Sequence, residues 1–182
     1  MKKILITGVY ASGKTSLIDL LKKSLESQGK RVVVIHEVAR QCPFDLNKSQ
    51  SLMATSWLVM AQLNNELTQQ EATVDYIIFD RGLPDIIAHT EYVLSEEQDD
   101  LNFFRMLDAL GRTSIHSYNY IFLSTSSDEF SIHVDELRVD DIQYQKKLEL
   151  LHLNYLIRSE VNYILLKEKN EDRLQQIIDV IT

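Results

Sequence analysis

The segment Gly8–Thr15, with the sequence GVYASGKT, matches the P-loop pattern G-x-x-x-x-G-K-[ST] and constrains the fold more than any other part of the chain. An apolar run at 4–6 precedes the segment, and an amphipathic stretch at 16–27 follows it. The pattern is meaningful when a buried strand leads into the loop and a helix leads out of it, and both flanks are present. The segment therefore predicts a nucleotide phosphate site at a strand-to-helix turn.

Each residue type in this loop has a physical role in binding phosphate. The glycines let backbone amides approach an anion closely, and the start of the following helix adds positive potential. We expect the Lys14 ammonium to reach the β and γ phosphates of ATP and the Thr15 hydroxyl to bind Mg²⁺. The predicted phosphate-binding residues are Gly8, Tyr10, Ala11, Ser12, Gly13, Lys14, Thr15 and Ser16.

Composition limits the kinds of partner that the chain can have. The 182 residues are 45% hydrophobic, which predicts one folded domain over 1–182. A formal net charge of −8 argues against general binding to nucleic acids or anionic membranes and favours small substrates. No apolar stretch approaches the ~20 residues that span a bilayer. The single cysteine, Cys42, fits a reducing cytoplasm, and the oligomeric state has no readable signal, a homodimer being one option.

Hydrophobic periodicity predicts an alternation of strands and helices. Strands are predicted at 4–6, 31–36, 75–79, 118–123 and 163–166, and helices at 16–27, 49–71, 84–94, 101–111, 144–160 and 174–181. This order predicts an α/β fold, a three-layer doubly wound parallel five-stranded sheet of the P-loop NTPase or kinase type. Ligands then bind beyond the carboxyl ends of the strands, and the polar stretch 124–141 is a candidate lid.

Charged residues follow the predicted second and third strands. Asp80 comes directly after the third strand, where a carboxylate can hold Mg²⁺ opposite Thr15, and Arg81 offers a planar set of donors for a phosphate oxygen. Glu37 ends the second strand, where it can accept a proton from the second substrate. Arg40 can contact a substrate phosphate or hold Glu37, or it can be a surface charge.

Three further candidates have structural alternatives. Asp85 can pair with Arg81 across one helical turn, or it can stabilise a helix start through the helix dipole. Gln62 and Glu66 share one helix face and can present an amide and a carboxylate to a base or sugar, or they can belong to a solvated stripe. Arg138 is the candidate lid arginine that neutralises the transferring phosphate, and its alternative is an exposed arginine in a loop.

Taken together, these segments resemble the P-loop nucleoside and nucleotide kinases. The resemblance rests on the P-loop, on Glu37-x-x-Arg40, on Asp80-Arg81-Gly82-x-x-Asp85, and on Arg138 before a long helix. It is greatest to predicted ATP-dependent kinases that have Glu-x-x-Arg after the second strand and Asp-Arg-Gly-x-x-Asp after the third. That group includes the kinase domain that phosphorylates nicotinamide riboside. Deoxyribonucleoside kinases and thymidylate kinases are similar at a greater distance.

The resemblance implies roles for the charged residues but leaves two assignments open. Likeness to deoxyribonucleoside kinases implies that Glu37 is the general base and that Asp80 and Arg81 serve metal and phosphates. Likeness to thymidylate kinases implies that Asp80 and Arg81 engage the acceptor nucleotide. Lids of this superfamily often carry several arginines, whereas 124–141 has only Arg138, so Arg81 or Arg40 can carry the transition-state charge instead.

The sequence thus favours a cytoplasmic enzyme that transfers the γ-phosphate of ATP, with Mg²⁺, to a nucleoside, a nucleotide or a similar small acceptor. Two other functions stay open. One is an ATP-binding regulatory NTPase module without a small-molecule acceptor. The other is a polynucleotide 5′-hydroxyl kinase, which the acidic balance disfavours.

Overall fold

The computed structural model of the protein describes residues 1–68, 73–94, 98–127 and 141–182. The strands are β1 (Lys2–Gly8), β2 (Val32–Ile35), β3 (Tyr76–Asp80), β4 (Tyr120–Ser124) and β5 (Ile164–Leu165). They pair in parallel in the order β2-β3-β1-β4-β5. The predicted five-stranded parallel sheet is confirmed.

Helices connect successive strands, as the predicted alternation requires. They are α1 (Lys14–Ser27), α2 (Leu52–Thr68), α3 (Leu83–Val93), α4 (Gln98–Ile115), α5 (Ile142–Arg158) and α6 (Asn170–Ile181). Two short 3₁₀ turns between β2 and α2, at Val38–Gln41 and Asn47–Ser49, were not predicted. In the part of the chain that the structure describes, every helix is too short or too polar to cross a membrane.

Successive side chains of β1 point into two different packed layers, which explains why the run Ile4–Ile6 at its centre is entirely apolar. Ile4 and Ile6 pack with the buried faces of α1 and α6, whereas Leu5 packs with Phe79 on the other side, among α2, α3, α4 and α5. The side chains of Ile4, Leu5 and Ile6 are all fully buried. A parallel strand covered on both faces has no polar side, and its sequence loses the alternation seen in half-exposed strands.

The sheet places the P-loop beside the end of β3. Strand β1 lies between β3 and β4, with Ile6 opposite Asp80 and Gly8 opposite Ser124. The backbone N–H of Arg81 donates to the carbonyl of Ile6 at 3.2 Å. The carboxyl edge of the sheet therefore brings together residues that are far apart in sequence, as expected for ligand sites in open α/β sheets.

Helix α2 forms where predicted, but three of its large hydrophobic side chains do not face the core. Met53, Met60 and Leu67, which recur at helical spacing, are each more than 60% exposed. The buried face instead consists of Ala54, Thr55, Leu58, Val59, Gln62 and Glu66. The period predicted the helix correctly, but the polar residues on the buried face take part in hydrogen bonds that the period does not describe.

The predicted end of the fourth helix at Gly111 is wrong, since α4 continues to Ile115. A Cβ atom at residue 111 would lie 2.0 Å from Cδ1 of Ile87 and 2.3 Å from the hydroxyl oxygen of Tyr155. Gly111 therefore lies inside the helix, where it lets α4 approach side chains of α3 and α5. Its role is close packing of helices rather than helix termination.

Replacing Gly111 with alanine is expected to lower the free energy of unfolding by about 1–3 kcal/mol, the usual cost of overpacking a dense core. Alanine is a better helix former than glycine by about 1 kcal/mol, so without the close contacts the same substitution would stabilise the chain. Urea denaturation of the two proteins measures the difference and its sign.

Thr113, which is exposed on the same helix, supplies the matched control. Thr113→Ala should change the free energy of unfolding by no more than about 0.5 kcal/mol, as surface substitutions usually do. A Gly111→Ala protein more stable than the original chain would contradict the packing role.

Candidate active site

The P-loop begins at a glycine that no other residue can replace without moving the sheet. Gly8 has φ +127°, and a Cβ atom there would lie 2.0 Å from the carbonyl oxygen of Ser124 on the neighbouring strand. Both the left-handed backbone and the close approach of β4 require a residue without a side chain. The chain can therefore turn sharply out of β1 toward the start of α1, where Thr15 and Ser16 are exposed in the first helical turn.

Lys14 is folded into the loop that it is predicted to serve. Its Nζ donates to the carbonyl oxygen of Val9 at 2.5 Å and to Oγ of Ser12 at 3.1 Å, and the side chain is buried. Burial, assisted by the nearby positive charge of Arg81, lowers the pKa of Lys14 to about 7. The charges of Asp80, Asp85 and Glu37 act in the opposite direction but do not outweigh burial.

The back of the P-loop is held by a buried arginine that the sequence analysis missed. Nη1 of Arg173 donates at 2.5 Å to the carbonyl of Ser12, which also accepts from Oγ of Ser124 at 2.9 Å. Arg173 is fully buried, and its Nε donates to the carbonyl of Lys167. A signal existed in the sequence, because Arg173 lies four residues before Ile177 on the buried stripe of α6.

The first turn of α5 holds the front of the P-loop. Nε2 of Gln145 donates to the carbonyl of Tyr10 at 2.9 Å, and the Tyr10 hydroxyl donates to the carbonyl of Asp141 at 3.3 Å. Ala11, the next residue, adopts a left-handed φ of 51°. The loop is therefore fixed from both sides by helices that lie more than 130 residues away in sequence.

Thr15 and Asp80 lie together at the mouth of the loop, as predicted. The Thr15 hydroxyl donates to Oδ2 of Asp80 at 3.2 Å. Burial raises the pKa of Asp80, although the charges of Lys14 and Arg81 act in the opposite direction. A hydroxyl and a carboxylate are hard oxygen ligands that fit Mg²⁺, which takes its other ligands from phosphate and water. Among the described residues, no three His, Cys, Asp or Glu side chains form a cluster that could hold a metal ion.

Arg81 connects the P-loop to the candidate base. Its Nε lies 2.7 Å from Oε1 of Glu37, and its Nη1 donates to the carbonyl of Gly8 at 2.7 Å. A third contact joins Nη1 to Oδ1 of Asp85 at 3.4 Å. Arg81 has φ +71°, a left-handed conformation that is unfavourable for a residue with a side chain. The three side-chain contacts stabilise this conformation and aim the guanidinium at the loop.

The Asp85 carboxylate is buried and accepts hydrogen bonds from backbone and side-chain donors. Oδ2 accepts from the Thr7 hydroxyl at 2.9 Å and the Gly82 N–H at 3.0 Å, and Oδ1 accepts from the Gly8 N–H at 3.1 Å. His152 Nε2 lies 3.3 Å from Oδ1. Burial alone would raise the pKa of Asp85, but His152 and Arg81 outweigh burial and hold it well below its usual range. The predicted pairing of Asp85 with Arg81 and its helix-start position are both present.

A cavity of about 100 Å³ adjoins these groups, and Asp80 is not among its lining residues. It brings together four of the predicted acceptor-binding residues, Glu37, Gln62, Arg81 and Asp85. The lining also includes Tyr10 of the P-loop, apolar residues, and three side chains that the sequence analysis did not propose, namely His89, Tyr144 and His152.

One predicted site residue in the described part of the chain, Arg40, is not part of this arrangement. Arg40 is exposed on the first 3₁₀ turn and does not line the cavity. Arg138 and most of the predicted lid, at 128–140, lie outside the described residues. Glu66, proposed alongside Gln62, is buried but is also absent from the cavity lining.

His89 and Tyr144 form a neutral hydrogen-bonded pair in the cavity wall. Nε2 of His89 lies 2.6 Å from the Tyr144 hydroxyl oxygen. Burial, with the charges of His152 and Arg81, lowers the pKa of His89 to about 4, so its imidazole is neutral at pH 7. Burial also raises the pKa of Tyr144 well above its usual range. The pair contributes polarity to the wall without adding charge.

Comparison with known proteins agrees with this fold. A family model described as an AAA domain matches residues 3–173. No curated protein sequence matches the chain. Among solved structures, deoxyadenosine kinase from M. mycoides, with products dCMP and dCDP bound, has a TM-score of 0.71 and 15% identity. The alignment covers 98% of this chain and 98% of that kinase.

Two further structures are similar over nearly all of this chain. NadR in complex with NR has a TM-score of 0.74 and 15% identity over 99% of this chain but only 50% of NadR. Thymidylate kinase from Ehrlichia chaffeensis has a TM-score of 0.68 and 17% identity, with 100% and 98% of the two chains covered. At these identities the likeness establishes the fold, which is that of P-loop nucleoside and nucleotide kinases.

The state of Lys14 predicts that ATP binding is coupled to proton uptake. With a pKa near 7 in the free protein, Lys14 is largely charged at pH 6 and largely neutral at pH 8. Phosphate binding favours the charged form, so the affinity for MgATP should fall above pH 7, by up to about tenfold per pH unit. Calorimetry in buffers of different ionisation enthalpy should find about one proton taken up at pH 8.5 and few at pH 6.

Lys14→Arg provides the matched control, because arginine stays charged and should show no such uptake. Subtracting its proton count from that of the original chain removes the contribution of protons that the nucleotide itself binds or releases. If Lys14→Arg fails to bind ATP, the difference between pH 6 and pH 8.5 in the original chain tests the prediction. Equal proton counts at pH 6 and pH 8.5 would contradict the lowered pKa.

Proposed function

The chain belongs to the AAA domain family, and from that premise we propose that it is a Mg²⁺-dependent phosphotransferase that moves the γ-phosphoryl group of ATP to a small acceptor. The acceptor class that fits best is a nucleoside or nucleotide. Domain 1–182 would act as one kinase unit, and its place of action would be the cytoplasm, as the lone Cys42 suggests.

The observation that carries the proposal is the cavity next to the P-loop. Arg81 lines this cavity and also donates to the carbonyl of Gly8, so one side chain links the loop to the cavity. Glu37 lines the same cavity and forms an ion pair with Arg81. A regulatory NTPase has no need for a partly apolar cavity with a carboxylate beside the phosphate site. A second substrate explains all of these features.

In the proposed reaction, an acceptor hydroxyl in the cavity attacks the γ-phosphorus of ATP. The new bond joins the acceptor oxygen to phosphorus, the bond between phosphorus and the β–γ bridging oxygen breaks, and ADP leaves. The hydroxyl proton passes to the carboxylate of Glu37. Lys14 and Arg81 balance the charge that develops on the phosphoryl oxygens. Thr15 and Asp80 would hold Mg²⁺, which would supply positive charge to neutralise part of the phosphate charge.

The geometry favours Glu37 over Asp80 as the base. Asp80 accepts from the Thr15 hydroxyl and does not line the cavity, whereas Glu37 does. A base must reach the proton that it removes, so the carboxylate in the cavity is the better candidate. Asp80 is better suited to the metal.

Ligands of the similar structures point in the same direction. The deoxyadenosine kinase binds dCMP and dCDP in one structure and dATP in another, and NadR binds NR, NAD and AMP-PNP. These ligands are nucleosides, nucleotides or ATP-like donors. They support ATP as donor and a nucleoside or nucleotide as acceptor for this chain. Arg138 stays a proposed lid residue, and a homodimer stays one option for the oligomeric state.

The role of Glu37 is tested by Glu37→Gln with a panel of nucleosides and nucleoside monophosphates. With a nucleoside acceptor, transfer should fall by about 10²- to 10⁴-fold, the usual contribution of a general base, while the dissociation constant of MgATP changes by less than about threefold. A phosphate acceptor needs no base, so for a monophosphate the loss should be much smaller. Coupled measurement of ADP release gives both rates.

Glu26→Gln, an exposed change on α1, is the matched control and should leave transfer unchanged. Slow ATP hydrolysis that no panel compound stimulates would overturn the kinase proposal and favour a regulatory NTPase. Full transfer to a nucleoside by Glu37→Gln would remove only the base assignment.

Metal binding is tested at Thr15. Thr15→Val keeps the branched shape but removes the hydroxyl, and Thr15→Ser keeps the hydroxyl. The gain in ATP affinity on adding excess Mg²⁺ in place of EDTA should be about tenfold or more for the original chain and Thr15→Ser, and should be nearly lost in Thr15→Val. Calorimetry measures each affinity, and an equal gain in Thr15→Val would exclude the hydroxyl as a ligand.

A further inference from the structure

A buried carboxylate lies directly behind the wall of the acceptor cavity. Glu66 is 8% exposed and does not line the cavity, whereas Gln62, one turn earlier on α2, does. Nε2 of Gln62 donates to Oε1 of Glu66 at 2.9 Å. The Tyr118 hydroxyl donates to the same oxygen at 2.9 Å, and Oγ of Ser114 donates to Oε2 at 3.1 Å. Three donors from α2, α4 and the segment before β4 therefore converge on one carboxylate.

The position of Tyr118 in this cluster depends on Gly82. A Cβ atom at residue 82 would lie 2.7 Å from the Tyr118 hydroxyl oxygen. The ring also packs edge-on against Phe79 of β3, with centroids 5.1 Å apart. The cluster thus lies close to Gly82, and the contact with Phe79 of β3 holds the Tyr118 ring in place.

Hydrogen-bond polarity decides which end of the Gln62 amide meets the cavity. An ionised carboxylate only accepts hydrogen bonds, so the NH₂ group of Gln62 must face Glu66. Burial and the negative charge of Glu66 raise the pKa of Tyr118 well above its usual range, so its hydroxyl also remains a donor. The NH₂ group is then used within the protein. The carbonyl oxygen of Gln62, to which no described residue donates, is the polar group left for a ligand.

We propose that Glu66 is a positioning residue that fixes Gln62 with its carbonyl oxygen toward the acceptor, so that the acceptor must present a hydrogen-bond donor at this point, which on the base edge of a nucleoside is an N–H group. This inference rests on the proposed function, since it defines the acceptor more closely. The substrate class is a compound with an amino, amide or ring N–H group on the edge of a heterocycle. A compound with only lone pairs on that edge would leave the buried carbonyl without a donor.

Two kinds of substitution separate positioning from packing. Glu66→Gln retains an oxygen for Gln62 and Tyr118, and its own NH₂ group can face the Ser114 hydroxyl, which is able to accept. The double variant Glu66→Met with Tyr118→Phe removes the carboxylate together with the second buried donor that depends on it, leaving the Gln62 amide free to rotate. Tyr118→Phe alone keeps the bond between Glu66 and Gln62 and serves as the matched control.

Binding is measured by calorimetry with two pairs of nucleosides in which the second member lacks the exocyclic amino group of the first. The pairs are adenosine with purine riboside, and cytidine with pyrimidin-2-one riboside. For the ring that the cavity accepts, the original chain, Glu66→Gln and Tyr118→Phe should prefer the N–H compound by about 10- to 100-fold, the penalty expected when a buried acceptor loses its donor. The double variant should show less than about threefold preference, because its amide can turn to match either edge.

A second measurement needs no ligand. In ¹⁵N NMR spectra, the side-chain NH₂ of Gln62 should exchange slowly with water in the original chain, Glu66→Gln and Tyr118→Phe, and rapidly in the double variant. Circular dichroism and MgATP affinity establish that the double variant is folded. Rapid exchange in the original chain, or an N–H preference that survives in the double variant, would overturn the role of Glu66.

The two proposals fail in different ways. A slowly exchanging Gln62 amide in a chain that binds MgATP but none of the nucleosides would contradict the nucleoside acceptor of the proposed function while supporting the positioning of Gln62. Nucleoside binding without any N–H preference would support the proposed function and contradict the role of Glu66.

Discussion

The buried carboxylate of Asp85 joins the segments on which the site depends. It accepts hydrogen bonds from the end of β1, through Thr7 and Gly8, and from Gly82 after β3, and it lies beside His152 of α5. A buried charge is stable only when such partners surround it, and removing one partner leaves an uncompensated charge. The geometry of the P-loop and the geometry of the cavity therefore depend on the same group, although they would serve different substrates.

Arg81 extends this connection to the chemistry. Its guanidinium contacts Glu37, Asp85 and the carbonyl of Gly8, so the candidate base is fixed relative to the phosphate loop by one side chain. Lys14 is folded back in the same loop with a pKa near 7. The ligand-free site thus holds its cations in internal contacts that a triphosphate can replace. Phosphoryl transfer relies on positioning and charge neutralisation, and this arrangement provides both from rigid elements.

Most parts of the site that sequence reasoning found follow strand ends, whereas the predicted residues Gln62 and Asp85 lie on helices α2 and α3. The P-loop, Glu37 and Asp80 each come directly after an apolar run, and a parallel sheet brings such ends to one edge whatever the intervening sequence. Arg173 and Gln145, which hold the loop from α6 and α5, were missed because their partners lie more than 130 residues away. A long-range hydrogen bond leaves no periodic trace in one sequence.

The sequence by itself determined the order of strands and helices, the phosphate loop and the edge of the sheet where charged residues gather, because these follow from local periodicity and from the backbone needs of glycine. Only the tertiary structure decided which polar residues face the cavity. Gln62 lines it while Glu66, on the same helix face, lies behind, and Arg40 is exposed. Gly111 likewise does not end a helix, and its lack of a side chain leaves room for the Tyr155 hydroxyl. Such distinctions depend on which side chains of distant elements approach within a few ångströms, and packing across elements is not encoded in the spacing along any one of them.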